Sequence, residues 1–190
     1  MARERLVLLT TSREPTKNMR TLSRDISYTF PNIMRINRGK LSRERLVEKV
    51  IELNGEKMII IERWNEGIGK MEFFEVKQDN MVSVPPIIYV HSVKFRRDFE
   101  RQMSKGKMLK SIAIATFSNR NFVKKVEDAF ANFFKIPVIS YEEAINSKHE
   151  AVMQILSDSA NSTSITFRLV PDFIDFGPQL GITPLVWKSE

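Results

Sequence analysis

Leu6-Val7-Leu8-Leu9-Thr10 and Ile112-Ala113-Ile114-Ala115-Thr116 decide how this chain is read. Each is a short apolar run that ends in threonine. Each is followed by a serine, Ser12 or Ser118, and then by an arginine. The two runs lie 106 positions apart. The same offset lays Phe30-Pro31 on Ile136-Pro137 and Leu46, Val47 and Val50 on Val152, Met153 and Leu156. It also lays Ile59 and Ile61 on Ile165 and Phe167. Four separate apolar features on one ungapped offset point to an internal duplication. The expected division is an N-terminal half over 1–90, a basic connector over 91–110 and a C-terminal half over 111–190.

Within the first half, Leu6–Thr11 reads as a buried strand because it is continuously apolar. Thr16–Phe30 reads as a helix, with Met19, Leu22, Ile26 and Phe30 in one stripe. Pro31 stops it, since the residue before proline is pushed out of the helical region. Ile33–Ile36 is a short strand. Ser42 is placed to cap a second helix that turns Leu46, Val47, Val50 and Ile51 inward and closes at Asn54-Gly55. Lys57–Trp64 and Lys70–Lys77 form a hairpin around Gly67-Ile68-Gly69. The second half reads as a strand over Ser111–Phe117, a helix over Asn121–Phe134 and a strand over Val138–Ser140. A helix over Ser147–Ser157 and strands over Ser164–Val170, Asp172–Phe176 and Thr183–Trp187 complete it. Before it lie Pro85-Pro86, a strand at Ile87–His91 and a basic helix near Val93–Met103. The fold class is α/β, two β-α-β-α-β-β halves with helices on a mixed sheet.

Composition narrows the function. The 190 residues hold 30 Lys and Arg against 23 Asp and Glu, a formal charge of +7, and no cysteine. A chain this long buries enough surface to fold without staples. Without cysteine there is no disulfide framework, thiolate zinc site or thiol nucleophile. No apolar run approaches a membrane span, and Leu6–Leu9 is too short for a signal-peptide core. A cytoplasmic protein with no membrane partner is expected. The charge is segregated: +7 over residues 1–45, −3 over 46–90, +8 over 91–125 and −5 over 126–190. Such alternation favours a polyanion as partner.

Catalytic chemistry finds little support. His91 and His149 are isolated, His149 on an expected helix surface and His91 at a strand end. No His and carboxylate cluster has metal-ligand spacing, so no metal and no cofactor is expected. Gly67-Ile68-Gly69 lacks the Gly-Lys-Ser/Thr and the helix of a phosphate loop. Asp172 and Asp175 should point to opposite faces of a strand. Ser12 has neither a nucleophile elbow nor a histidine base.

The basic residues are better organised. Lys17, Arg20 and Arg24 line up on the first helix, centred about 135° from its apolar stripe. With Arg13, and with Arg38, Lys40 and Arg43 further on, they make one cationic block. Arg96, Arg97, Arg101, Lys105, Lys107 and Lys110, with Arg120, make the second. Arginine's planar fork suits phosphate. Both blocks open a half, so they are expected to form one joint surface. Phe95 and Phe99 are spaced either to stack on bases or, as amphipathic helices more often arrange, to enter the core.

Leu8-Leu9-Thr10-Thr11-Ser12-Arg13-Glu14-Pro15-Thr16 resembles the opening signature of the Brix domain family. Arg35-Ile36-Asn37-Arg38-Gly39 resembles its Asn-Arg-Gly segment, and Ile61–Gly67 falls where the family has a strand and a glycine turn. Ile174-Asp175-Phe176-Gly177-Pro178-Gln179-Leu180 resembles its Gly-Pro-Arg element, with Gln179 in the arginine's place. The family's His-x-Pro-x-Gly-Pro-Thr stretch is missing. The resemblance implies one Brix-type domain over 1–190, with halves like the anticodon-binding domain of class II aminoacyl-tRNA synthetases. It implies an archaeal, Imp-like ribosome biogenesis factor acting in pre-rRNA processing and subunit assembly. The expected partner is ribosomal RNA or pre-rRNA. The alternative is a scaffold whose acidic segments dock ribosomal proteins or other assembly factors. A tRNA-associated module is a third reading, from fold analogy alone.

Overall fold

The computed structural model describes residues 6–99, 108–159 and 162–183. Its first half runs β1 (Val7–Thr11), α1 (Lys17–Thr29), β2 (Ile33–Arg35), α2 (Arg43–Glu52), β3 (Lys57–Glu62), β4 (Gly69–Lys77) and β5 (Asn80–Lys94). A 3-10 turn at Arg96–Asp98 follows. The second half runs β6 (Ile112–Thr116), α3 (Asn121–Phe134), β7 (Val138–Ser140), α4 (Tyr141–Ile145), β8 (Ala151–Ser159) and β9 (Ser162–Leu169). It ends with β10 (Ile174–Asp175) and β11 (Gln179–Ile182).

The strands form one 11-stranded sheet in the order β2-β1-β3-β4-β5-β11-β9-β8-β6-β7, with β10 beside β9. β1 lies parallel between β2 and β3, and β6 lies parallel between β7 and β8. The halves are joined by the antiparallel pair β5–β11, where Leu180 faces Val93. Carrying strand direction across the sheet through its antiparallel pairs makes β6 run opposite to β1.

Alternation along the strands sorts the core into two faces. Val7 and Leu9 join α1's Met19, Leu22, Ile26 and Phe30 in the inner core. The same core takes Val123, Val126, Phe130, Phe133 and Phe134 from α3. Leu8, Met58 and Ile60 turn the other way, under Leu46 and Val50 of α2. In the second half the fully buried apolar cluster on that outer face is small, Ala115 and Val152 under Ala144 of α4. The C-terminal ends of α1 and α3 meet. The Phe30 and Phe134 rings stack with centroids 4.2 Å apart. Asn32 Nδ2 donates to the Phe134 carbonyl at 3.0 Å, and Lys57 Nζ donates to the Asn132 carbonyl at 3.0 Å. Residues of the first half thus satisfy carbonyls that the end of α3 leaves open.

Local signals worked where they were unambiguous. Thr16 caps α1 and Ser42 caps α2, each accepting a backbone N–H three residues on. Ile51, expected inside, is 44% exposed at the rim of α2. The helix expected over Ser147–Ser157 is absent. Ala151–Ser159 is strand β8, and the helix lies earlier, at Tyr141–Ile145. Val152, Met153 and Leu156 fit both periods, and burial on both faces of a sheet decided for strand. The true helix start is marked by a capping box between Ser140 and Glu143. Because α4 follows β7 without a loop and is also shorter than α2, β8 begins a dozen residues earlier than a constant offset from β3 requires. Past β7, therefore, the offset pairs α2 with a strand, and β3 with β9, which neighbours β8 rather than filling its place.

The connector also differs. β5 continues through Pro85-Pro86 to Lys94, and a 3-10 turn replaces the start of the basic helix expected near Val93–Met103. Of the strand expected at Asp172–Phe176 only Ile174–Asp175 forms. The next strand, β11, precedes Thr183, and Leu185–Trp187 lie outside the described residues.

Candidate nucleic-acid interface

Because β2, β1 and β3 are parallel, their carboxyl ends open on one edge of the sheet. Arg13 follows β1, Asn37 and Arg38 follow β2, and Glu62 and Arg63 close β3. α1 and α2 begin at this edge and add Lys17, Arg20 and Arg43. Ligands of α/β sheets sit outside the carboxyl ends of strands, where helix N-termini favour negative charge. The first turn of α1 holds no acidic residue to neutralise that end.

Arg13, Lys17, Arg20, Arg24, Lys40 and Arg43 are all exposed. The expected ridge on α1 therefore faces solvent. Arg38 does not. It is 7% exposed, its Nε donates to the Leu41 carbonyl at 3.2 Å, and its Nη1 lies 3.7 Å from Glu62. Burial lowers its pKa, as do Arg13 and Arg43 nearby, while Glu62 opposes the shift. Arg38 thus positions the edge rather than presenting a free cation. Glu62 also lies 3.7 Å from Arg43 Nη2, so one carboxylate serves two guanidiniums. Sequence reading missed Glu62 and Arg63. Arg63 Nε donates to the Glu14 carbonyl at 2.9 Å and ties the hairpin to the loop before α1. The signal available was their place at the end of a strand parallel to β1.

The second block splits: Arg96 and Arg97 lie against α1, near Asp25 and Arg24, while Arg120 stands apart. Arg96 is half-buried, with its guanidinium 5.4 Å from the Tyr28 ring and 5.6 Å from the Phe176 ring. Its backbone N–H donates to Asp25 Oδ2 at 2.9 Å. Burial raises the Asp25 pKa and lowers that of Arg96. Arg97 is exposed and lies over the Phe95 ring at 5.2 Å. Phe95 and Phe99 are each 6% exposed, so they belong to the core. Lys110 is exposed where the connector meets the second half, and Arg120 is exposed at the start of α3. The inner helices meet at their C-terminal ends and β6 opposes β1, so Arg120 and Arg13 face away from each other. Of the second block, Arg96 and Arg97 thus adjoin the α1 ridge and Arg120 does not. Arg101, Lys105 and Lys107 lie outside the described residues.

No group of three His or acidic residues among the described residues could hold a metal ion. No helix among them is long and apolar enough to cross a membrane. His91 is exposed on β5. His149 lies half-buried in the turn before β8, not on a helix.

The fold is that of solved archaeal ribosomal biogenesis proteins. The crystal structure of a probable ribosomal biogenesis protein from Aeropyrum pernix matches with a TM-score of 0.79 at 20% identity, covering 94% of this chain and 96% of that one. Mil, an archaeal Imp4-like protein, matches with a TM-score of 0.64 at 16% identity, covering 94% and 98%. By sequence, the chain is similar to archaeal proteins named for a Brix domain, and it spans less than half the length of the first of them. A protein of Pyrococcus abyssi named "Probable Brix domain-containing ribosomal biogenesis protein" is 31% identical over 93 residues, which are 49% of this chain and 41% of that relative. One of the same name from Pyrobaculum aerophilum is 27% identical over 149 residues, covering 78% of this chain and 79% of that relative. No family model matches the chain.

Proposed function

We propose that the chain is a non-catalytic ribosome biogenesis factor of the cytoplasm, acting in pre-rRNA processing and subunit assembly. It binds structured ribosomal RNA or pre-rRNA through the carboxyl edge of β2, β1 and β3. The observation that carries this reading is the placing of exposed Arg13, Lys17, Arg20, Lys40 and Arg43 around the starts of α1 and α2, with exposed Arg24 continuing the ridge two turns along α1. The names of its relatives support the setting. Phosphate contacts supply affinity there, and the shape of the folded RNA supplies choice. Arg97, Lys110 and Arg120 make secondary contacts where a large RNA reaches them.

The finer reading of the fold, two duplicated halves each like a synthetase anticodon-binding domain, is part of the proposal. Its support is the sheet order, which meets the same kinds of strand from either edge.

The test is fluorescence anisotropy with fragments tiled across both ribosomal RNAs, with tRNA as competitor and over a salt series. Six neutralised phosphates predict a loss of about 10³-fold in affinity between about 50 and 200 mM salt. Tight binding to a few fragments that resists tRNA supports the reading. Weak, uniform binding that vanishes at physiological salt overturns it.

A further inference from the structure

The outer face of the second half is left short of cover. In the first half a ten-residue helix, α2, lies over it, whereas α4 has five residues. At 1.5 Å per residue the cover is halved, from about 15 Å to about 7.5 Å. Aromatic rings gather where the helix begins. Phe117 and Tyr141 are 45% and 44% exposed, and Ile145, one turn after Tyr141 on α4, is 42% exposed. The Phe117 and Tyr141 centroids are 5.0 Å apart, and Phe173 lies 4.9 Å from Tyr141. This is a packed platform of rings with open faces. Exposed aromatics so clustered mark an interaction surface.

The charge around the platform selects the occupant. Glu142 follows Tyr141 and Asp172 precedes Phe173, and both are exposed. Residues 126–190 carry a net charge of −5. At Glu142 and Asp172 a guanidinium gains both from ring faces and from carboxylates. We propose that this face docks an arginine- and lysine-rich segment of a protein partner, anchored by an apolar side chain on Phe117, Tyr141 and Ile145. The proposal rests on the ribosome-assembly reading for its choice of partner class, basic ribosomal proteins, but uses a surface separate from the cationic edge.

The experiment uses the full chain and fluorescein-labelled peptides from the basic termini of archaeal ribosomal proteins, without RNA. At least one peptide is expected to bind. The Phe117→Ala/Tyr141→Ala variant should weaken it about tenfold, as loss of aromatic anchors does. Glu142→Lys/Asp172→Lys should weaken it as well, and Lys17→Glu/Arg20→Glu/Arg24→Glu should leave it unchanged. These side chains are exposed, and circular dichroism with thermal melting checks that each variant folds. The proposal is overturned if no peptide binds the natural chain or if peptides bind the aromatic variant equally. It is also overturned if that variant instead loses affinity for an unstructured oligouridine. Ribosomal RNA binding without peptide binding defeats this inference alone. Peptide binding with the expected sensitivities, but no RNA binding, upholds it and defeats the RNA reading.

Discussion

The two halves of the sheet share strand order and inner helices but differ on the outside. In each, a central strand lies parallel between two neighbours, and a helix of 13 or 14 residues covers the inner face. Outside, α2 buries Leu46, Val47 and Val50, while α4 buries only Ala144. The loop after β1 gathers arginines, whereas Phe117 after β6 meets Tyr141 and Phe173. The shared layer makes the core, and the outer helix and the strand-to-helix loops are free to diverge. One architecture thereby presents a cationic surface at one end and an aromatic, acidic one at the other.

The largest expected break in this comparison is in stability. Leu46→Ala should cost about 2–5 kcal/mol, because a fully buried side chain leaves a cavity under α2. Ala144→Gly should cost only about 1 kcal/mol through helix propensity. Urea titration of the two variants checks the ratio. Equal losses would mean that α4 holds its face as firmly as α2.

Next in size is the clasp between the halves. Lys57→Met keeps the apolar stem but removes the donor to the Asn132 and Phe133 carbonyls. A loss of about 1–3 kcal/mol is expected, with one cooperative transition retained. Two separate transitions would show that the halves unfold independently.

The RNA comparison comes third. Reversing Lys17, Arg20 and Arg24 to Glu should lower affinity for ribosomal RNA about 10- to 100-fold and flatten the salt dependence by two to three contacts' worth, about 0.7–0.9 in slope each. Melting temperature should hold, since all three are exposed. Reversing Arg120, Lys124 and Lys125 should change affinity less than about threefold. Equal effects would extend the surface to the start of α3.

The smallest effect compares the buried carboxylates of the inner helices. Burial raises the pKa of Asp25 on α1 and of Glu127 on α3. A group whose pKa is higher folded than unfolded binds more protons in the native state. Its contribution is therefore full below its unfolded value and is lost as pH rises through the folded one. Asp25 has Arg96 beside it, whereas Glu127 is 2% exposed with Oε1 unpartnered. Glu127→Gln should therefore stabilise more at neutral pH than Asp25→Asn, and each should reduce the fall in stability above pH ~4. Thermal melts across pH check both.

Much of the fold was legible because several signals agreed at once. For α1, an apolar stripe, a threonine cap and a proline stop pointed to one answer, and its ends fall at the expected residues. At β8 the signals conflicted, because Val152, Met153 and Leu156 satisfy both a helix and a strand buried on both faces. A constant offset favoured the helix, and nothing local revealed that α4 was short except Ser140 and Glu143. The exposure of Lys17, Arg20 and Arg24 was legible from helical angle alone. The burial of Arg38 and Arg96 was not, because their neighbours, Glu62 for one and Asp25 and Phe176 for the other, are distant in sequence. The separation of Arg13 from Arg120 depends on strand direction carried through five antiparallel pairs, which no single segment encodes.

The stacked ends of α1 and α3 also bear on how the chain is made. Phe73 packs edge-on against Phe130, Phe133 and Phe134, and Phe30 stacks on Phe134. All of those partners are translated after residue 120. An emerging chain must therefore carry bare aromatic surface while the second half is still in the exit tunnel. The β5–β11 seam closes only when residues 179–182 have cleared it. Completion of the core therefore waits for a strand made well over a hundred residues after α1.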